Sequence, residues 1–222
     1  MEKISVIIPA FNEEENIAKT IKLAQKSKNV DEVLVVNNLS TDKTVEISIK
    51  NGARVVDCNE QGKGNAMETG IQMAKNEIII FLDADVQYVK ENVVEMLCEP
   101  IIRGEIDFVK SAFDRTTGGT VTEVVVKPVL NILYPNMYKF LEPISGMIAS
   151  KKSILEKLIL EKDYGVDIGI LLDVINLGYS VKEVNIGEID NLSHNNKTHL
   201  TMSKMSTEIL RAIFKRMPKT EK

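Results

Sequence analysis

The sequence is poor in cysteine, histidine and aromatic residues, and it has no excess of positive charge. Its 222 residues include two cysteines, two histidines and no tryptophan, and aromatic residues make up only 5%. Cys58 and Cys98 show no metal-ligand spacing, so we expect two buried free thiols rather than a disulfide. The net charge of -4 argues against binding to nucleic acid, because such surfaces carry an excess of basic residues.

Long apolar runs are also missing. No uninterrupted apolar stretch approaches the roughly 18 to 20 residues that span a membrane. A strand pattern begins within a few residues of Met1, without the features of a signal peptide. We therefore expect a cytoplasmic protein without stable membrane insertion. Hydrophobic residues make up 44% of the sequence, which is enough to bury a sizeable core.

The first half of the chain alternates short apolar strands with amphipathic helices. The helices separate strands that are predicted at 4–9, 33–37, 54–56 and 78–82. Asn12 is the predicted N-cap of the first helix, and Ser40 or Thr41 is that of the second. This order predicts an α/β fold with a doubly wound, mostly parallel sheet flanked by helices.

The second half is less regular but contains no linker or repeat, so we expect a single domain over residues 1–222. Further strands are predicted at 106–113, 145–150 and 181–186. Helices are predicted at 89–102, at 121–140 with proline kinks, from 152, and at 164–177. The last helix should bury a stripe and expose a basic face: the stripe is Met202, Met205, Ile209, Ile213 and Phe214, and the face is Lys204, Arg211, Lys215 and Arg216.

Asp83-Ala84-Asp85 directly follows the fourth predicted strand. At the carboxyl end of a parallel strand these carboxylates would face the crevice where open α/β sheets bind ligands. Two carboxylates so close repel each other and favour a cation such as Mg²⁺ or Mn²⁺. An ordinary acidic turn after a buried strand is the alternative.

Other polar groups are expected at the same edge of the sheet. Gly62-Lys63-Gly64 opens a helix and offers backbone donors with one cation, although such turns are common. Asn38 follows the second strand, where turn and cap chemistry would also explain it. Asp167 either caps a helix or faces a polar ligand, and His194 is either solvated or a metal ligand.

Four of these motifs stand in the order seen in family 2-like glycosyltransferases with the GT-A fold. They are Pro9-Ala-Phe-Asn-Glu-Glu, Asn37-Asn-Leu-Ser-Thr-Asp, Gly62-Lys-Gly-Asn-Ala and Asp83-Ala-Asp. The second half resembles glucosyl-3-phosphoglycerate synthases and their relatives. The segments that carry this resemblance are Gly119-Thr-Val-Thr-Glu, Lys127-Pro-Val-Leu-Asn-Ile-Leu-Tyr-Pro, Pro143-Ile-Ser-Gly, Tyr164-Gly-Val-Asp-Ile-Gly, Ser193-His-Asn-Asn-Lys and Met205-Ser-Thr-Glu-Ile-Leu-Arg.

The resemblance implies a role for each matching residue. About 1–86 would form a nucleotide-binding half and about 87–222 an acceptor-binding half. The implied nucleotide-sugar site comprises Pro9, Ala10, Phe11, Glu13, Asn38, Lys63, Asp83 and Ala84. The implied acceptor site comprises Gly119, Thr120, Val121, Thr122, Ser145 and Gly146. Asp85 and His194 would bind the metal, and the catalytic residues would be Asp167, Asp85 and Lys63.

Three positions depart from the family's pattern. Asp167 replaces a glutamate that contacts the donor sugar, and Met147 replaces an acidic residue. Thr120 stands where an arginine is usual, which removes a fork suited to phosphate and carboxylate. The cations that could compensate are Lys110, Arg115 and Lys127.

The resemblance implies a metal-dependent hexosyltransferase, using Mg²⁺ or Mn²⁺, that moves glucose from UDP-glucose to 3-phosphoglycerate or a similar small phosphorylated acceptor. It further implies retention of anomeric configuration and a possible homodimer.

Two alternatives stay open. The basic last helix would also suit a polyprenyl-phosphate hexosyltransferase at a membrane surface. Asn38 and Thr120 would also suit a non-catalytic protein that binds nucleotide sugars.

Overall fold

A seven-stranded sheet forms the centre of the molecule in the part of the chain that this computed structural model describes, which is residues 2–85, 90–115, 119–137, 139–189 and 199–217. The spatial order of the strands is β3-β2-β1-β4-β6-β5-β7. Their bounds are β1 Ile4–Ala10, β2 Val30–Asn37, β3 Arg54–Asp57, β4 Ile78–Phe81, β5 Phe108–Arg115, β6 Ile148–Lys151 and β7 Val181–Ile189.

The sheet is mostly parallel, as the sequence predicts. β1 pairs in parallel with both β2 and β4, whereas β6 runs antiparallel between β4 and β5. The register sets Ala10 beside Asn37 and Ile7 beside Phe81. The segments that follow β1, β2 and β4 therefore leave the sheet at one edge, close to one another.

Eight α-helices and two other helical turns surround the sheet within the described residues. The helices are α1 Ile17–Ala24, α2 Thr44–Lys50, α3 Lys63–Met73, α4 Val93–Ile102, α5 Lys127–Leu133, α6 Lys152–Leu155, α7 Val166–Asn176 and α8 His199–Lys215. A π-helical turn, Val121–Val126, precedes α5, and a 3₁₀ turn, Pro135–Met137, follows it. The predicted helix at 121–140 is thus broken, with α5 ending two residues before Pro135.

Both faces of the sheet are buried, which explains why its strands have continuous apolar runs instead of alternating patterns. Ile7 and Ile79 pack on one side with apolar residues of α3, α5, α7 and α8. Ile8 and Ile80 point to the other side and pack with residues of α1 and α4. Cys58 and Cys98 are buried free thiols, as predicted.

The predicted N-caps are wrong because the connections before α1 and α2 fold against each other. Asn12 has a φ of 54° and lies five residues before Ile17, the start of α1. Its side-chain oxygen instead accepts a hydrogen bond from the Thr41 N–H at 2.8 Å. At α2 the N-cap position is Lys43, and the carboxylate of the preceding Asp42 accepts the Thr44 N–H at 3.0 Å.

The last helix differs from its predicted amphipathic pattern at its end. Ile209 and Ile213 are buried as expected, but Phe214 is exposed. Arg216 was expected outside, but its side chain is only 6% exposed and donates to Glu161 Oε1 at 2.6 Å and to Asp173 Oδ1 at 2.8 Å. This network fastens the chain after α8 to α7 and to the segment before it. No helix among the described residues is both long enough and apolar enough to span a bilayer.

Candidate active site

A cleft of about 920 Å³ opens at the carboxyl ends of β1, β2 and β4. Its volume is near the upper end for ligand pockets, which span roughly 300–1,000 Å³. The predicted site residues that line it are Pro9, Ala10, Phe11, Glu13, Asn38, Lys63, Asp83, Ala84, Asp85, Gly119, Thr120, Val121, Thr122, Ser145, Gly146 and Asp167. The remaining predicted site residue, His194, lies outside the described residues.

The cleft has two sides. The N-terminal wall consists of the residues that follow β1, β2 and β4 together with the start of α3. The C-terminal wall consists of 119–122, 144–147, 163–167 and the inner side of α8. We use these two names below.

Lys63 joins the two walls. Its ammonium lies 3.0 Å from Asp83 Oδ1 on the N-terminal wall and 2.9 Å from Asp167 Oδ2 on the C-terminal wall. Burial alone would lower the pKa of Lys63, but the charges of Asp167 and Asp83 raise it above its ordinary value. The ammonium therefore keeps its proton at any physiological pH, so it can bind an anion but cannot act as a base.

Asp167 faces the cleft instead of capping its helix. It lies in the first turn of α7, where no side chain caps the helix. Its Oδ2 accepts from Lys63, whereas its Oδ1 is buried and has no hydrogen-bond partner among the described residues. Because an unsatisfied buried carboxylate oxygen is costly, a hydroxyl donor from a ligand would stabilise it.

Gly146 allows the two walls to approach each other closely. A Cβ atom at this position would lie 2.3 Å from Lys63 Nζ and 2.5 Å from Asp83 Oδ1. Real side chains do not approach this closely, so any larger residue would push Lys63 or Asp83 away. The Ser145-Gly146 turn thus packs directly on the charged cluster.

Asn38 braces the turn that precedes α3. Its Oδ1 accepts the Gly62 N–H at 2.8 Å, and its Nδ2 donates to the Glu60 carbonyl at 2.7 Å. The neighbouring Asn37 and Asp42 make turn contacts and do not line the cleft. Asn38 lines the cleft while it also positions Gly62.

The acidic residues on the N-terminal wall suit a divalent cation. Burial raises the pKa of Glu13, and the hydrogen bond from Asn16 lowers it by less. The charges of Asp85, Asp42 and Asp83 raise it further. Glu13, Asp83 and Asp85 thus stand near one another on this wall, and carboxylate oxygens are ligands for Mg²⁺ and Mn²⁺. Among the described residues no three His, Cys, Asp or Glu side chains converge on one ion, so Asp85 would need His194 or ligand oxygens beside it.

Lys110 is a buried cation behind the C-terminal wall. Its ammonium is fully buried and donates to the Ser145 carbonyl at 2.6 Å and to the Asp167 carbonyl at 3.5 Å. Burial lowers the pKa of Lys110 to about 8, although the charge of Asp167 opposes the shift. Lys110 therefore supports the two segments that carry Ser145 and Asp167 without facing the cleft itself.

Sequence reasoning missed several residues that line the C-terminal wall. They are Asp163, Tyr164, Met202, Lys204, Met205 and Ile209, together with Ile144, Phe113 and Ile189. For α8 the spacing correctly predicted that Ile209 and Ile213 are buried, but such a stripe does not tell whether its residues pack on a core or line a ligand cleft. α8 packs against α7 and the turn Val121–Val126, so the buried part of its apolar stripe is covered within the domain and gives no support to the membrane-surface alternative.

Comparisons with known sequences match both halves of the chain. A sequence model described as Glycosyl transferase family 2 matches residues 5–162. The chain is 30% identical over 241 residues to a glucosyl-3-phosphoglycerate synthase of Petrotoga mobilis, which covers 98% of this chain and 74% of the relative. It is 32% identical over 239 residues to the corresponding synthase of Mycobacterium tuberculosis, and that alignment covers 96% of this chain and 73% of the relative.

Solved structures of the Mycobacterium tuberculosis synthase have the same fold. One of them, in complex with Mn²⁺, UDP-glucose and phosphoglyceric acid, superposes with a TM-score of 0.89 at 32% identity. The superposition covers 99% of this chain and 81% of that chain. Another, with Mg²⁺ and UDP, also has a TM-score of 0.89. The likeness therefore includes both walls of the cleft.

Proposed function

The chain belongs to glycosyl transferase family 2, and on that premise we propose that it transfers glucose from UDP-glucose to 3-phosphoglycerate with Mg²⁺ or Mn²⁺ as cofactor. The observation that carries the proposal is the cluster of Lys63, Asp83 and Asp167 where the two walls meet. A transferase needs both substrates at one point, and this cluster is the point that both walls share.

The N-terminal wall would hold the nucleotide. Pro9, Ala10, Phe11 and Glu13 would contact the nucleoside, and the turn braced by Asn38 would present Lys63 to the diphosphate. Because two ion pairs already fix the position of the Lys63 ammonium, it needs little rearrangement when negative charge develops on the departing UDP. Asp167 Oδ1, which lacks a partner, would accept a hydrogen bond from a hydroxyl of the glucose.

The metal would be held by Asp85, with His194 as the further ligand that the resemblance implies. When bound, it neutralises negative charge on the diphosphate leaving group. The C-terminal wall would place the acceptor hydroxyl beside the cluster, using 119–122 and the Ser145-Gly146 turn. Positioning and fixed charges would then supply most of the acceleration.

The direct test mixes the full chain with UDP-glucose, Mn²⁺ and 3-phosphoglycerate and follows the product by NMR. We expect glucosyl-3-phosphoglycerate with the anomeric configuration of the donor retained, and no product when EDTA removes the metal. Transfer only to a polyprenyl phosphate in liposomes would replace this proposal with the membrane-surface alternative. Metal-dependent binding of UDP-glucose without transfer to any acceptor would favour the non-catalytic one.

A further inference from the structure

The cleft has more negative than positive charge, which is unsuited to an anionic acceptor. The described ionised side chains that line it are Glu13, Asp83, Asp85, Asp163, Asp167, Lys63 and Lys204. A phosphoglycerate carries a phosphate and a carboxylate, both of which favour cationic partners. Lys63 is already paired with two carboxylates at 2.9 and 3.0 Å, so a second cation in the cleft would favour binding of an anionic acceptor.

Two lysines that could compensate for the neutral Thr120 are engaged elsewhere. Lys110 is fully buried and donates to backbone carbonyls behind the wall. Lys127 lies 2.5 Å from Glu123, one helical turn away, and does not line the cleft. Lys110 cannot reach an acceptor without losing these contacts, and Lys127 lies outside the cleft lining. The side chain of Arg115, the third candidate cation, lies outside the described residues.

Lys204 is placed differently from both. It extends from α8 into the cleft lining beside Met205, and α8 packs against the turn Val121–Val126 that follows Thr120. Its ammonium lies 3.5 Å from Asp163 Oδ2 and 3.8 Å from Glu208 Oε1, and the side chain is 65% exposed. Exposed pairs at such distances are weak, so a dianion can exchange with them.

We propose, on the premise of the proposed function, that Lys204 binds the phosphate group of the acceptor and so selects phosphorylated over unphosphorylated acceptors. Leaving Asp163 costs the lysine little because its side chain is largely exposed and the ion pair is long. The charges of Asp163 and Glu208 raise the pKa of Lys204, so the amine is cationic throughout the physiological range.

The test compares Lys204→Met with Lys204→Arg and with the matched control Lys215→Met. Lys215 lies on the same helix, is 60% exposed and pairs with Glu161, but does not line the cleft. We expect Lys204→Met to raise the KM for 3-phosphoglycerate roughly tenfold, since a charge-assisted hydrogen bond is lost. The KM for UDP-glucose should stay within about twofold, and Lys204→Arg should restore most of the acceptor affinity.

Two further measurements separate phosphate binding from a structural role. Calorimetric titration of D-glycerate and 3-phosphoglycerate into the enzyme with Mn²⁺ and UDP should show that Lys204→Met weakens only the phosphorylated compound. Asp163→Asn, which removes the competing carboxylate, should tighten 3-phosphoglycerate binding about twofold to threefold. A purely structural role would instead weaken both compounds and lower the melting temperature.

The outcomes distinguish this inference from the function on which it rests. If the wild type transfers glucose to 3-phosphoglycerate and Lys204→Met has an unchanged KM, the function stands and the role of Lys204 is wrong. If the wild type binds UDP-glucose but neither binds nor glucosylates 3-phosphoglycerate, the acceptor class is wrong and the inference fails with it.

Discussion

On the N-terminal wall the polar side chains are bonded to neighbouring elements, whereas the C-terminal wall presents mainly glycine, hydroxyl and apolar groups to the cleft. Asn38 makes two hydrogen bonds to the turn before α3, and Lys63 is held by carboxylates from both walls. Opposite them lie Thr120, Gly146 and Met147. The N-terminal wall is thus preorganised for one kind of ligand, while few side chains set selectivity on the C-terminal wall.

Of the changes considered, Lys63→Met should have the largest effect, because it removes the ion pairs that join the two walls. It leaves Asp83 and Asp167 without their cation in a partly buried site. We expect the free energy of unfolding to fall by about 3 kcal/mol and kcat to fall roughly 1,000-fold. Urea unfolding and the NMR transfer assay measure the two effects, and Lys63→Arg should recover more stability than activity. A stable variant with near-normal kcat would show that the junction has no catalytic importance.

Gly146→Ala disturbs the same junction from the C-terminal wall. The added Cβ would lie 2.3 Å from Lys63 Nζ, so either the turn or the lysine must shift. We expect kcat/KM to fall roughly 100-fold, since a displacement of about 1 Å at reacting groups can cost that much.

The control for that substitution is Gly104→Ala, whose Cβ would meet no atom within 4 Å but whose φ is +70°. It should cost about 1 kcal/mol of stability through backbone strain and leave transfer unchanged. Equal losses of activity in both variants would show that the effect comes from the glycine backbone and not from the cleft.

The stability contributed by Lys110, which lies behind the C-terminal wall, should depend on pH. Its pKa falls from 10.5 when exposed to about 8 when buried, so between these values the unfolded chain binds the extra proton. Stability contributed by this group therefore rises with pH across that window. Between pH 7 and pH 9.5, the stability of wild type relative to Lys110→Met should rise by roughly 2 kcal/mol.

The measurement for Lys110 is urea unfolding of both proteins at the two pH values, with Lys215→Met as the control for an exposed lysine. Effects of other groups cancel in the difference between variants. A difference that does not change with pH would mean that Lys110 keeps an ordinary pKa in the folded protein.

The smallest expected effect comes from Thr120→Arg, which adds a cation to the C-terminal wall. Because Thr120 is exposed at the cleft, a guanidinium there can reach an anionic acceptor with little desolvation. We expect the KM for 3-phosphoglycerate to fall about threefold, with no change for UDP-glucose. Val124→Arg, on the same segment but outside the cleft lining, is the matched control and should change neither constant.

Local pattern was sufficient for most of the fold and for the N-terminal wall. The strands have uninterrupted apolar runs because both faces of the sheet are covered, and the residues after β1, β2 and β4 meet because parallel strands end at one edge. Asn38, Asp83 and Asp85 were predictable for this reason, and Lys63 was predictable because Gly62-Lys63-Gly64 opens the helix after β3. The two N-caps were not, because the connections containing Asn12 and Thr41 bond to each other across 29 residues.

The sequence by itself determined the α/β class, the burial of the strands and the acidic end of β4, since each depends on neighbours in the chain. Only the tertiary structure decided that Lys63 meets Asp167, 104 residues away, that Arg216 is buried, and that Lys204 lines the cleft. These pairings depend on where α7 and α8 dock on the sheet. That docking is set by the sum of many weak apolar contacts, which periodicity does not reveal.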